Sequence, residues 1–262
     1  MSNPAEARTE SGPVLVQSVD RALSILEILA RRRDVGVTEI GRELGVHKST
    51  AFRLLAVLEN RGFVEQAEER GSYRLGFGIV RLAGAIGAQL DLTRQSRSAC
   101  EQLAADLGET VNIAIFDNDR AVNVTQVLGA ASIASQNWVG KQTPLHATSS
   151  GKVLLAHAPT SVRAPIVAGP HERFTEATIT DPAELKAELD RVREAGWGST
   201  AEEYEVGLNA LAAPVRGADG SVVAALSISG PAYRLAPESF PEIAARVVAA
   251  AGEVSSRMGY FG

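Results

Sequence analysis

One run constrains this chain more than any other: TEIGRELGVHKSTAFRLLAVLEN, residues 38 to 60. Its apolar positions follow helical spacing twice, over TEIGREL and again from about Lys48 to Asn60. Only the tight turn at Gly45 separates the two helices. Upstream, VQSVDRALSILEILARRRD reads as another helix, with Ser18 as its cap and Arg31 to Arg33 at the end favoured by the dipole. Thr38 is the expected cap of the short helix, where Ile40 and Leu44 face inward. Phe52, Leu55 and Leu58, beside Leu54, are the expected docking stripe of the next one. Downstream, FVEQ and SYRLG read as two strands around the polar turn AEERG. Three short helices followed by a hairpin form the pattern of a winged helix-turn-helix.

That pattern gives meaning to an odd charge cluster. His47, Lys48 and Arg53 stand together with no acid until Glu59, whereas a solvated face usually interleaves both signs. In a helix-turn-helix the second helix enters the DNA major groove, led by its N-terminal residues. His47, Lys48, Ser49, Thr50 and Arg53 then form the DNA-reading set. Free amides, hydroxyls and a lysine suit a phosphate oxygen, while Arg53 can reach a guanine edge with two parallel hydrogen bonds. Arg70 and Arg74, on the hairpin, are expected against flanking backbone or minor groove. The bland alternative is solubilising charge; the helix-turn-helix spacing and the hairpin favour DNA.

The net charge of −5 argues against a surface that coats polyanions throughout. Of 26 bases and 31 acids, eleven of each fall in residues 1–75, leaving 15 and 20 for the other 187 positions. The excess acid therefore belongs to the second part, and a local basic face remains open to the first. Residues 1–13 read as a disordered arm without the apolar core of a signal peptide. No apolar run suits a membrane span, so the expected location is cytoplasmic. Cys100 is alone, and His146, His157 and His171 lack zinc-ligand spacing, so neither metal nor cofactor is expected.

The expected division is a DNA-binding domain at 14–75, a linker helix at 76–92 and an effector-binding and oligomerisation domain at 93–262. The linker has Gly84 and Gly87 for close helix packing. In the second domain RQSRSACEQLAADLG reads as a helix stopped by Gly108. VNIAIF and AVNVTQVL follow as strands, and GLNALAAPVRGADGSVVAALSISG as a strand pair around an Asp-Gly turn. Further helices are expected at about 149–158, 182–195 and 237–258. Antiparallel strands with segregated helices make an α+β domain. Ser227 and Ser229 share one strand face, and the start of the 149–158 helix would attract an anion. Capping and backbone satisfaction are the competing roles for these serines. Ser149-x-x-Lys152 has hydrolase-like spacing, but the partner motifs are missing and no positioned nucleophile can be named.

VTEIGRELGVHKSTAFRLLAVLENRGFVE, followed by YRLG, resembles the N-terminal domain of IclR-type transcriptional regulators. PLHATSSGKVLLA, EEYEVGLNALAAPVR and DGSVVAALSISGP resemble that family's C-terminal domain, in the expected order. The resemblance implies a GAF-like sheet with a small-molecule cavity lined by Ser149, Ser150, Ser227 and Ser229. It also marks departures: proline is common where this chain has His47, and glyoxylate-type members carry Asp at Thr200 and Cys at Ala210. A larger or less polar ligand than glyoxylate is therefore expected. Trp138, in QNWVGKQ, is either a lid over that cavity or a structural tryptophan. The expected function is a homodimeric or tetrameric regulator, a repressor first, whose binding to operator DNA responds to a small carboxylate through changed head spacing. The alternative is a small-molecule enzyme or carrier with an N-terminal protein-interaction module.

Overall fold

A computed structural model describes residues 16–32, 34–67, 71–84, 87–130 and 137–261. The arm at 1–13 and Arg70 lie outside the described residues. The chain falls into two compact units that divide between Gly87 and Ala88.

The first unit begins with α1, Gln17–Arg31, which buries Ile25, Ile28 and Leu29. Ser18 is not its cap: the helix starts one residue earlier, behind Val16 and without a side-chain cap. A short strand β1, Val35–Gly36, leads into α2, Val37–Glu43, which is likewise preceded by Gly36 rather than capped by Thr38. Gly45 adopts φ +63°, a left-handed conformation that glycine enters without a Cβ penalty, and so turns the chain. The next helix, α3, spans Lys48–Asn60 as expected. Strands β2, Val64–Gln66, and β3, Ser72–Leu75, complete a three-stranded sheet in the order β1-β3-β2. One core joins Ile25, Ile28, Val35, Ile40, Ala51, Leu55, Leu58, Val64 and Tyr73. Phe52 is absent from it and stands 53% exposed. Each helical residue advances about 100°, so 51, 55 and 58 share the inward arc while 52 swings out of it.

Helix α4, Gly78–Gly84, closes the first unit, and α5, Gly87–Leu107, opens the second. The expected boundary at 92/93 is not a break: α5 runs straight through it and stops at Gly108, φ +74°. Eight-residue strands β4, Thr110–Asp117, and β5, Arg120–Val127, form the first hairpin. Three elements were not foreseen: β6, Gln142–Pro144; α7, Thr160–Ala168; and β7, Gly198–Ala201. Between them lie α6, Ser149–His157, and α8, Pro182–Ala195, the latter capped by Asp181 and ended by Gly196. Strands β8, Leu208–Arg216, and β9, Val222–Pro231, precede α9, Phe240–Arg257.

The six-stranded antiparallel sheet has the order β6-β5-β4-β9-β8-β7. Alternation sorts its side chains onto two faces. Val111, Ile113, Leu211, Leu226 and Ile228 pack with Cys100, Leu103, Val247 and Val254 of α5 and α9. Ala114, Ala121, Ala212 and Ala225 pack under α6 and α8, through Val153, Leu155, Leu185 and Leu189.

Candidate functional site

The cationic tip of α3 rests on its anchoring. With Ala51, Leu55 and Leu58 buried, Lys48, Ser49 and Arg53 are turned to solvent, and Thr50 is half-buried. No acid stands in the first turn, and neither Lys48 nor Arg53 forms an ion pair among the described residues. His47 caps the helix: its Nδ1 accepts from the Ser49 amide at 3.3 Å and lies 2.9 Å from Ser49 Oγ. A side chain thus closes a first turn that proline would preset through its ring. Arg74 is differently placed, with Nε 2.7 Å from Glu65 Oε1 across the hairpin.

In the second unit one cavity, enclosing about 530 Å³ of empty space that is partly open to solvent, lies on the α6 face of the sheet. Trp138, Ser149, Ser150, Thr200, Ala210, Ser227 and Ser229 all line it. Cross-strand register brings the distant ones together. Thr200 is opposite Ala210, Ala210 opposite Ser229, and Ser227 lies between Ala212 and Asn112 in the adjacent row. Above them stands the start of α6, capped by Thr148, whose hydroxyl accepts from the Gly151 amide and donates to Pro144 O at 2.8 Å. Gly151 is required there, since a Cβ would approach Leu145 Cα and Thr148 Oγ1 to 2.6 Å. The first amides of a helix have no intrahelical acceptor and carry its positive dipole end, so an anion fits beneath α6.

Aromatic groups form the other wall. The Trp138 amide donates to Gln126 Oε1 at 2.9 Å, and its ring meets Tyr204 edge-on at 6.4 Å. Tyr204 continues to Phe174 at 5.1 Å and from there to His146 at 5.8 Å. Sequence reasoning missed Asn112, Asn123, Thr143, Thr148, Tyr204 and Leu208, which also line the cavity. For Asn112 and Asn123 a signal existed: each is a polar interruption in a strand read as apolar, on the face shared with Ala114.

Behind the cavity a buried charge network holds α6 in place. Lys152 is 1% exposed and donates from Nζ to Glu203 Oε1 at 2.6 Å and to Ser199 O at 3.3 Å, with Glu188 Oε1 at 3.6 Å. Burial pushes the Glu203 carboxyl above its ordinary range, and Lys152 opposes that only in part. For Glu188 burial also pushes upward, but Arg191 and Lys152 outweigh it and the net direction is down. Lys152 Nζ is thus committed to Glu203, the Ser199 carbonyl and Glu188 rather than to Ser149. Among the described residues no group of His, Cys, Asp or Glu could hold a metal, and no helix is long and apolar enough to cross a membrane.

Comparison with known proteins agrees over both units. The family model described as IclR helix-turn-helix domain matches residues 18–68, and that described as bacterial transcriptional regulator IclR C-terminal matches residues 85–256. The chain is 34% identical over 257 residues to the HTH-type transcriptional regulator KdgR of Escherichia coli (strain K12), covering 98% of each protein. It is 34% identical over 245 residues to the transcriptional repressor AllR of Klebsiella pneumoniae, covering 93% of this chain and 90% of the other. Among solved structures, the Thermotoga maritima IclR superposes with TM-score 0.77 at 27% identity, over 94% of this chain and all of that one. An IclR homologue from Microbacterium hydrocarbonoxydans, solved with 4-hydroxybenzoate, gives 0.82 at 25% identity over 92% and 98%. These relatives are named as regulators of transcription rather than as enzymes. The chain, from its helix-turn-helix to its antiparallel effector domain, belongs to the IclR family of bacterial transcriptional regulators.

Proposed function

We propose that this regulator is a cytoplasmic repressor that acts as a homo-oligomer on pseudo-palindromic operator DNA and is controlled by a small organic acid. Residues 14–75 read DNA: Lys48, Ser49 and Thr50 contact phosphate, Arg53 reads a base, and Arg70 and Arg74 touch the flanking backbone. Paired heads read half-sites about one helical turn apart. Residues 93–262 bind the effector and assemble the oligomer, with Ser149, Ser150, Ser227, Ser229 and Thr200 on the acid and Trp138 and Ala210 against its carbon frame.

One observation carries this reading: a single chain holds an exposed cationic helix tip and a cavity under a helix N-terminus, the first without an ion pair and the second without a charged lining residue among the described residues. The family's relatives add support, since one is named a repressor and another was solved with an aromatic acid. Control follows if the acid binds the DNA-competent and DNA-free forms with different affinity.

The test is fluorescence anisotropy on an operator recovered by selection from random duplexes, with and without a panel of carboxylates. A repressor of this kind binds the selected duplex in the nanomolar range and releases it when one acid is added. Ser229→Leu is expected to keep operator affinity and lose that release. Absence of sequence preference, or release unaltered by Ser229→Leu, removes the corresponding half of the proposal.

A further inference from the structure

One residue of the cavity wall has a feature that an acid alone does not explain. Asn112 lines the cavity, is 6% exposed, and its Oδ1 is buried without a hydrogen-bond partner among the described residues. A buried carbonyl left without a donor costs free energy that native proteins rarely leave unoffset. An ionised carboxylate has only acceptor oxygens, so it cannot satisfy Oδ1 and is repelled by it. What Asn112 lacks is a donor.

Small acids that bring one include hydroxy acids and amino acids. The thirteen described lining residues include no Asp or Glu, so among them there is no counter-ion for an ammonium group. The cavity offers neutral hydroxyls and amides instead, such as Thr200 and Asn123, while the hydroxyls of Thr143 and Thr148 already donate to Ala121 O and Pro144 O. Hydroxyls and amides both donate and accept, as an alcohol does. Register sets the reach: Asn112 lies directly opposite Ser227, in the row next to Ser229, and such neighbours stand about 5 Å apart at Cβ. A donor at Asn112 is therefore close to an acid group held between those serines and the first turn of α6.

We propose that the cavity takes a hydroxylated carboxylate, with a hydroxyl near the acid group donating to Asn112 Oδ1, and that Asn112 discriminates it from unsubstituted acids. This rests on the effector reading of the cavity.

The experiment is thermal shift and calorimetry on the full chain with matched pairs: D- and L-lactate against propionate, D-glycerate against propionate, and D-gluconate against hexanoate. Alanine and serine serve as the amino counterparts. The expected result is that at least one hydroxy acid binds about tenfold or more tightly than its hydroxyl-free partner, and that Asn112→Leu abolishes the preference. The same variant, unliganded, is expected to melt no lower than the wild type, because it removes an unpartnered polar atom at similar volume; an asparagine that merely supports the fold would give a clear loss. Asn112→Thr serves if the leucine variant does not fold, and should weaken the preference. Equal binding of the partners, a preference surviving in Asn112→Leu, or selection of the amino acids overturns the proposal while the acid-responsive cavity stands. If no acid of any kind binds, the effector reading fails and this inference with it.

Discussion

At the scale of single residues, Arg53 and Lys48 are both exposed on α3 but suit different chemistry. A guanidinium has the geometry to meet O6 and N7 of guanine together, whereas an ammonium at a helix start is a point charge for phosphate. Arg53→Ala is accordingly expected to weaken selected-operator binding by roughly 1–3 kcal/mol and random-duplex binding much less. Paired anisotropy titrations on the two duplexes measure this, and equal losses would reassign Arg53 to the backbone. His157 makes a prediction of another kind. Burial, with Arg216 and Arg193 adding to it, pushes its pKa down to about 4 from an ordinary 6.5, and its Nε2 is buried without a partner among the described residues. The neutral ring is therefore favoured in the folded state. Its contribution is whole above pH 6.5 and is lost as the pH falls towards about 4, because the unfolded chain binds the proton more readily. Urea unfolding of wild type and His157→Leu from pH 7.5 to 4.5 should show the wild type losing stability relative to the variant on the acid side, by on the order of 1–2 kcal/mol.

At the scale of elements, α3 depends on a narrow apolar line. Leu55 is fully buried, and Leu55→Ala is expected to cost about 2–5 kcal/mol in the first unit. Circular dichroism melts would show it, with DNA binding lost at temperatures the wild type tolerates. The ends of α3 were legible because a glycine turn precedes it and helical spacing runs unbroken to Asn60. Phe52 was misassigned because a three-residue spacing drifts about 60° per step around a helix, so 52, 55 and 58 do not share one face. The start of α5 was misjudged for the opposite reason: nothing between Gly87 and Leu107 interrupts the helix, so a change of role in the sequence leaves no mark on the backbone. Short elements such as β6 and β7, of three and four residues, carry too little alternation to declare themselves.

At the scale of the whole molecule, the two units have separate cores and opposite surface tasks. The second unit, with residues 88–262 and two helix-covered sheet faces, has the means to fold alone. Deleting residues 1–87 should abolish operator binding and leave the melting shift given by the effector acid unchanged. At 100 times the dissociation constant that shift corresponds to about 2.7 kcal/mol. A deletion protein that folds but no longer responds to the acid that stabilises the full chain would place part of the binding site in the first unit.

Local order determined much of this molecule. Helical spacing, a left-handed glycine and a hairpin turn announce the winged head, because each depends on residues within a few positions of one another. The cavity is another matter. Its wall is assembled from Asn112, Thr200, Ala210, Ser227 and Ser229, which meet only when β4, β9, β8 and β7 pair side by side. The family resemblance marked several of these residues, yet the unmet acceptor on Asn112 has no trace in the order of amino acids. Whether a buried polar atom finds a partner is decided by strand register and by what packs above it, and only the folded chain sets those.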